Sequence, residues 1–298
     1  MIYPIIKFKN SKGKKMSFSS NVKEELSNIK NLKNMESLES ELLGYILTEN
    51  AVITENKICY VTENEYNIER FYKILFALKI EYEPEIKGKC FKAIFDRNIY
   101  VKIFSKFENV KDENAVKTII RGAFLGAGSI TEPEKSYHLE IGFCLEDNAK
   151  YISNLCEIFD IEFKVLKLES KFVLYLKDGD QISKFLACIG ANKSVLKFED
   201  IRIFKEMKNN VNRNVNMETA NLNRTIDASI NQIDDIKLIQ KLNKMDDLSD
   251  DLKEVAILRL ENPEASLSEI GEMLDPKLSK SGVNHRLKKI HEFAKGLI

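Results

Sequence analysis

The chain has no tryptophan, only five prolines and three histidines among its 298 residues, and no apolar run long enough to cross a bilayer. Three histidines without ligand spacing argue against a zinc site. The five cysteines, Cys59, Cys90, Cys144, Cys156 and Cys188, are odd in number, widely spaced and set among apolar neighbours. They read as buried thiols in a reducing cytoplasm, not as a disulfide or metal framework. The N-terminus lacks the layout of a signal peptide, so no membrane partner is expected. An excess of charge is missing too: 46 basic residues balance 46 acidic ones, and only local clustering can point to nucleic acid. What is present is 44% hydrophobic content, enough for a globular chain of two domains.

The most informative stretch is Ile120–Ile130, Ile-Arg-Gly-Ala-Phe-Leu-Gly-Ala-Gly-Ser-Ile. Gly122 and Gly126 lie four apart and share one helix face, leaving it bare for the approach of another backbone. A glycine inside a helix costs about 1 kcal/mol relative to alanine, so two of them ask for a compensating contact. Gly128 suits a left-handed helix cap. Leu42–Ala51 has the same outline, with small residues at Gly44 and Thr48 and Asn50 at the expected cap.

The flanking segments repeat as well. Asn67–Phe91 aligns with Asn148–Phe172 at a constant offset of 81: Asn67 meets Asn148, Ile80-Glu81-Tyr82 meets Ile161-Glu162-Phe163, and Phe91 meets Phe172. The two glycine-bearing helices are offset by 78, and the loop Thr131–Lys135 can absorb the difference. An internal duplication packed about a pseudo-two-fold axis is expected; the alternative is two unrelated buried helices.

In chain order, residues 1–19 form a variable extension and a first helix spans Asn21–Ile29, capped by Ser19 or Ser20. The first glycine-bearing helix covers about Ser37–Glu49. Strands are expected at Ile58–Thr62, Tyr82–Ile86 and Phe91–Phe95 around a helix at Ile68–Leu78. The second half repeats them at His138–Leu145, Phe163–Leu168 and Phe172–Leu176, with helices at Ala149–Phe159 and Gln181–Ile189. Each half is thus αββαββ-like, residues 20–110 and 111–201. The fold class is α+β, with one sheet face per half left free for a ligand.

This pattern resembles the LAGLIDADG homing-endonuclease fold. The resemblance implies that the two glycine-bearing helices form the central interface and that acidic residues at their feet hold divalent metal for phosphodiester hydrolysis. Read from the glycine of each motif, those feet are Glu49 and Ala127. Alanine cannot ligate a metal, and a two-metal site needs carboxylates from both sides. No catalytic residue, metal or cofactor is therefore expected, and Glu49 reads as a surface carboxylate at a helix end.

After Ile201 the composition shifts. Residues 202–245 are rich in asparagine and, from composition alone, read as a solvated linker with a helix from about Asp227 to Leu242. Asn212, Arg213, Asn216, Thr219, Asn221 and Arg224 can all donate to phosphates or base edges, which makes them candidates for a second DNA contact. Residues 246–298 punctuate as three helices. Ser249 caps the first, which ends at Asn262-Pro263, and Ser266-Leu267-Ser268-Glu269 is a capping box for the second. Gly271 allows the third to cross closely, and Asp275–Leu278 makes a four-residue turn before the cap Ser279.

The third helix places Val283, Leu287, Ile290 and Ala294 on one stripe and Ser281, His285, Lys288 and Glu292 opposite. Residues 277–295 carry six lysines and arginines against one acid. Polar groups for base edges flanked by cations for phosphates are what a recognition helix needs, so a helix-turn-helix is expected. Its candidate DNA-binding residues are Ser279, Lys280, Ser281, Asn284, His285, Arg286, Lys288 and Lys289; the plainer alternative is a solvated basic face on a three-helix bundle.

Together, the degenerate duplicated region, Asn212-Arg213-x-Val215-Asn216-x-Glu218-Thr219-Ala220-Asn221, and Ser279-Lys280-Ser281-Gly282-Val283-Asn284-His285-Arg286-Leu287 resemble the bacterial WhiA family. The resemblance covers nearly everything from Met16 onward and turns the asparagine-rich stretch from linker into functional segment. It implies a cytoplasmic, nucleoid-associated, non-enzymatic regulator that binds double-stranded DNA. Its setting would be sporulation transcription, or cell division and chromosome segregation with a protein partner. An active endonuclease and a division-machinery scaffold stay open as rival readings.

Overall fold

The structure, a computed structural model, describes residues 16–297. Most of the expected N-terminal extension, residues 1–15, lies outside them. The described residues separate into two compact units that divide between Glu206 and Met207.

The first unit is built from two half-structures of matching topology. Helix α1 (Phe18–Ser27) precedes α2 (Met35–Leu47), β1 (Ala51–Ile53), β2 (Lys57–Thr62), α3 (Glu65–Ala77), β3 (Tyr82–Lys87), β4 (Cys90–Asp96) and α4 (Asn98–Phe107). The second half runs α5 (Glu113–Ala127), β5 (Gly128–Ile130), β6 (Leu139–Phe143), α6 (Glu146–Glu157), β7 (Lys164–Lys167), β8 (Phe172–Leu176) and α7 (Gly179–Cys188). Each half holds a four-stranded antiparallel sheet, ordered β1-β2-β4-β3 in one and β5-β6-β8-β7 in the other. The registers repeat the sequence offset: Ile58 pairs with Phe95 as Leu139 pairs with Leu176, each member 81 residues on.

The two glycine-bearing helices, α2 and α5, cross at their bare faces. A Cβ on Gly44 would stand 2.1 Å from the Ile119 carbonyl oxygen, and one on Gly122 would stand 2.1 Å from that of Glu41. One step along, Gly126 faces Thr48. The apolar residues around the crossing, Leu42, Leu43, Ile46, Ile119, Ala123 and Leu125 among them, are fully or almost fully buried. This contact is what offsets the helix penalty of the glycines.

Two asparagines fasten the halves to each other. The Asn148 side chain, on α6, donates to the Leu47 carbonyl at 2.9 Å. Asn67, its counterpart on α3, donates to the Leu125 carbonyl. Each half thereby satisfies an end-of-helix acceptor belonging to the other. The aligned asparagines of the repeat owe their position to this exchange.

Several details depart from the sequence reading. Gly128 is extended, with φ −75° and ψ 150°, instead of left-handed, because β5 starts on it and pairs it with Ile141. Its small size matters for another reason: a Cβ would sit 2.4 Å from the Phe124 ring. The first motif helix is capped by Thr48, while Asn50 reaches across to the Gly126 carbonyl at 2.7 Å. The first helix starts earlier, capped by Ser17, whose hydroxyl accepts from the Ser20 amide. The three-residue strands β1 and β5 and the helix α4 are additions to the elements expected from the sequence. The thiols are free, but only Cys156 is buried and Cys144 is exposed, because apolar sequence neighbours do not fix which side of an element faces solvent.

The segment read as a linker lies on α8 (Asn192–Lys241), a single 50-residue helix. Asparagine is a poor helix former, but the span contains no glycine or proline to break it. A short 3-10 turn at Met245–Asp247 leads into α9 (Asp250–Glu261), α10 (Leu267–Met273) and α11 (Lys280–Lys295). Ile236 and Ile239 of α8 are buried in one apolar cluster with Val255, Ile270, Val283 and Leu287. The end of the long helix is therefore a fourth wall of the terminal bundle.

Candidate nucleic-acid interface

Two places follow from the sequence reading: the feet of α2 and α5, and the outer face of α11. At the first, Glu49 is neither on a helix nor a free surface carboxylate. It lies just past the end of α2, its backbone amide donates to the Gly142 carbonyl at 3.0 Å, and its carboxylate is 3.0 Å from Lys171 Nζ. A Cβ on Gly142 would stand 2.2 Å from that carboxylate, so the glycine makes room for it. Spacing along the chain did not reveal this pairing, since Lys171 is 122 residues away. The corresponding position on α5 is Ala127. Among the described residues, no group of three or more His, Cys, Asp and Glu could hold a metal ion.

The terminal bundle is held by caps and by burial of one stripe. Ser266 and Glu269 form a reciprocal capping box at the start of α10. The Ser279 hydroxyl accepts from the Gly282 amide at the start of α11. Gly271 is needed where the chain passes closely, since a Cβ there would be 2.2 Å from the Leu278 carbonyl oxygen. Between the C-cap Leu274 of α10 and the N-cap Ser279 of α11 lie the four turn residues Asp275–Leu278, where Leu274 is buried and the Leu278 amide donates to the Gly271 carbonyl at 2.9 Å. Arg259 is 2% exposed and donates to the Ala265 carbonyl at 2.7 Å, tying α9 to the start of α10. Burial in this apolar setting lowers the pKa of its guanidinium.

Helix α11 buries Val283, Leu287, Ile290 and Ala294. The opposite side is open: Ser279, Lys280, Ser281, Asn284, His285, Lys288 and Lys289 are all exposed. Arg286 is placed differently. It turns back onto α9, where Nη1 donates to the Asp251 carbonyl at 3.2 Å and Nε lies 3.5 Å from the Asp251 carboxylate. The Ser249 hydroxyl, and after it Arg286, hold the Asp251 carboxyl below its usual range. At the far end of α11, His291 Nδ1 is 2.7 Å from the Asp235 carboxylate on α8. Neither acid was singled out from sequence, because each partner sits on a different helix.

Asn212, Arg213, Asn216, Thr219, Asn221 and Arg224 are exposed on α8. They do not share one face. At about 100° per residue, Asn212, Asn216, Arg213 and Arg224 fall within an arc of roughly 120°, Thr219 lies just beyond one edge, and Asn221 points opposite to Asn212.

Comparison with known proteins fits this architecture. The profile of the WhiA LAGLIDADG-like domain matches residues 116–208, and that of the WhiA C-terminal HTH domain matches residues 211–294. A Clostridium beijerinckii protein named probable cell division protein WhiA is 52% identical over 187 residues, which span 63% of this chain and 59% of that protein. The Ruminiclostridium cellulolyticum protein of the same name is 39% identical over 310 aligned residues, covering 94% of this chain and 97% of its own. The crystal structure of full-length DUF199/WhiA from Thermatoga maritima superposes with a TM-score of 0.60 at 30% identity, covering 94% of this chain and 98% of that one. No helix among the described residues is long and apolar enough to cross a membrane. With both domain profiles matched in order and a relative aligned along nearly its whole length, the chain belongs to the WhiA family.

Proposed function

We propose that the protein is a DNA-binding regulator that grips duplex DNA through the exposed side of α11 and does not cut it. The observation that carries this reading is the division of α11 into a buried apolar stripe and an open side of hydroxyl, amide, imidazole and ammonium groups. Ser281, Asn284, His285 and Lys288 take the base-edge role, with Ser279, Lys280 and Lys289 on the phosphates. Arg286, bonded to Asp251, orients α11 on α9 and turns its remaining donors to the backbone. Asn212, Arg213, Asn216 and Arg224 on α8 supply a second contact, with Thr219 at its margin and Asn221 outside it.

The absence of cleavage rests on Ala127, which offers no ligand, and on the engagement of Glu49 by Lys171. The name of the relatives supports a setting in cell division, at the nucleoid, with the duplicated unit as a second DNA surface or a protein-contact surface. The same reading extends to chromosome segregation and sporulation transcription.

The test is fluorescence anisotropy on labelled duplex DNA across a salt series. Steep weakening with salt is expected, and Lys280→Ala with Lys289→Ala, the two lysines placed on phosphates, should flatten the log–log slope by about 2. Affinity unchanged from about 50 to 300 mM salt would sink the reading. Incubation of supercoiled plasmid with the protein and magnesium tests the second part, where any nicking abolished by Glu49→Gln refutes it.

A further inference from the structure

The middle of α8 carries an apolar stripe left exposed among the described residues. Met207, Val211, Val215, Leu222, Ile226 and Ile230 are each between 46% and 63% exposed. Isolated exposed apolar side chains need no explanation, but these six lie on one side of a helix, within an arc of about 140°. Their steps are four, four, seven, four and four residues, slightly longer than one helical repeat, so the stripe winds slowly around the helix. Ser229 lies inside the same arc, is buried and donates to the Pro263 carbonyl at 2.5 Å, so the terminal bundle reaches one edge of the stripe at its end. Ile226 and Ile230, farther round the helix, stay 46% and 52% exposed beside it.

The order of the stripe reads the same in both directions. Its centre falls between Glu218 and Thr219. Val215 and Leu222 are equidistant from that point, Val211 and Ile226 form the next pair outward, and Met207 and Ile230 the last. A two-fold symmetric contact requires a surface complementary to itself, in which residue i meets j and j meets i. A helix laid antiparallel on its own copy meets that condition when its apolar positions are mirrored about the axis, as these are.

We propose that this stripe is the dimerisation surface of the protein, and that its occupant is the same helix of a second copy running antiparallel. Val215 then packs on Leu222, Val211 on Ile226 and Met207 on Ile230, each pair occurring twice. At the axis, the Thr219 hydroxyl of one copy donates to the Glu218 carboxylate of the other, which matches the polar centre of the stripe and leaves the second DNA contact to Asn212, Arg213, Asn216 and Arg224. Six side chains from each copy, each losing on the order of 80 Å² of exposed apolar area, bury about 1,000 Å² in total, the lower bound for a specific interface. The pairing leaves Arg213 and Arg224 facing outward, free for phosphates.

Sedimentation of the full chain tests this. The expected species has twice the monomer mass of 34.3 kDa. Val215→Glu should weaken the dimer by about 100-fold or more, since the carboxylate is buried against leucine twice over. Leu222→Glu should do the same. Both positions are exposed in the monomer, so the fold is retained, which circular dichroism checks. Val215→Glu combined with Leu222→Lys should restore the dimer, because the two positions meet only in the antiparallel arrangement. A chain that stays monomeric to about 100 µM, well above a micromolar Kd, overturns the proposal. So does a dimer indifferent to Val215→Glu and Leu222→Glu, or one that the double substitution fails to rescue.

Discussion

Helices α5 and α11 differ by one residue in length, 15 against 16, yet α5 has eleven buried residues and α11 has four. Both are amphipathic in sequence and both start from a side-chain cap. Asp112 accepts from the Ala115 amide in one, and Ser279 accepts from the Gly282 amide in the other. Their difference lies in what surrounds them. Helix α5 is enclosed by α2 and by the second sheet, so its glycines are contact points and its charged Arg121 reaches inward to Glu41. Helix α11 rests on its bundle by one stripe, and its remaining positions are free to meet something else. Substitutions in α5 should therefore be felt as lost stability, and those on the outer side of α11 as lost binding.

The sharpest way to break that contrast is to add a side chain to the crossing. Gly122→Val would drive its Cβ into the Glu41 carbonyl oxygen, 2.1 Å away, with backbone on both sides and nothing able to yield. A loss of more than about 4 kcal/mol is expected, visible as failure of the first unit to fold in urea titrations. A soluble, cooperatively unfolding variant within about 1 kcal/mol of the parent would show that α2 and α5 do not meet as described.

Next in size is the buried charge cluster beside the same crossing. Glu41 is fully buried, with Arg70 Nε at 2.8 Å and Arg121 at 3.1 Å. Burial pushes its pKa up, but the hydrogen bonds and charges of Arg70 and Arg121 outweigh that, and the carboxyl is held below its usual value. Glu41→Ala strands two guanidinium groups and should cost about 3–5 kcal/mol. The sign of the pH effect follows. Because the folded pKa is depressed, the stabilisation is complete above the ordinary glutamate pKa and fades as pH falls through the folded value. Urea midpoints measured from neutral to acid pH should show this acid-side loss in the parent and lack that component in Glu41→Ala.

Smaller effects should appear on α11. Ser279→Ala removes the cap and should cost about 1 kcal/mol of bundle stability by thermal melting. Gly282→Ala provides the mirror image of the Gly122 substitution. Its Cβ would find its nearest neighbour 3.5 Å away, an ordinary contact, so the gain in helix propensity should win by up to about 1 kcal/mol. If it destabilises instead, the start of α11 is more tightly surrounded than the contrast with α5 allows.

The same contrast explains how much could be read from the chain itself. The duplication, the α+β class, the crossing glycines and the stripe of α11 are periodic or repeated features, and a repeat is visible without a partner. The three-residue strands β1 and β5 are too short to show alternation and exist because β2 and β6 pair with them. Helix α4 carries only a short signal in the sequence, Ile99, Ile103 and Phe107 at steps of four. The continuity of α8 was hidden because asparagine content suggests a loop, whereas the decisive fact was the lack of a breaker. At the candidate sites, exposure along α11 follows from its angular pattern. The Glu49–Lys171 and Arg286–Asp251 pairs do not, since each joins side chains brought together only by tertiary folding.

The crossed asparagines bear on how the first unit is assembled and how it could be divided. Asn67 and Asn148 each complete a helix end that belongs to the opposite repeat, so neither repeat owns a finished version of itself. A break in the connection at residues 108–112 would leave two fragments with raw helix ends and bare glycine faces. Such fragments should remain unstructured apart and regain structure when mixed, which makes the duplicated region one indivisible folding unit despite its doubled ancestry.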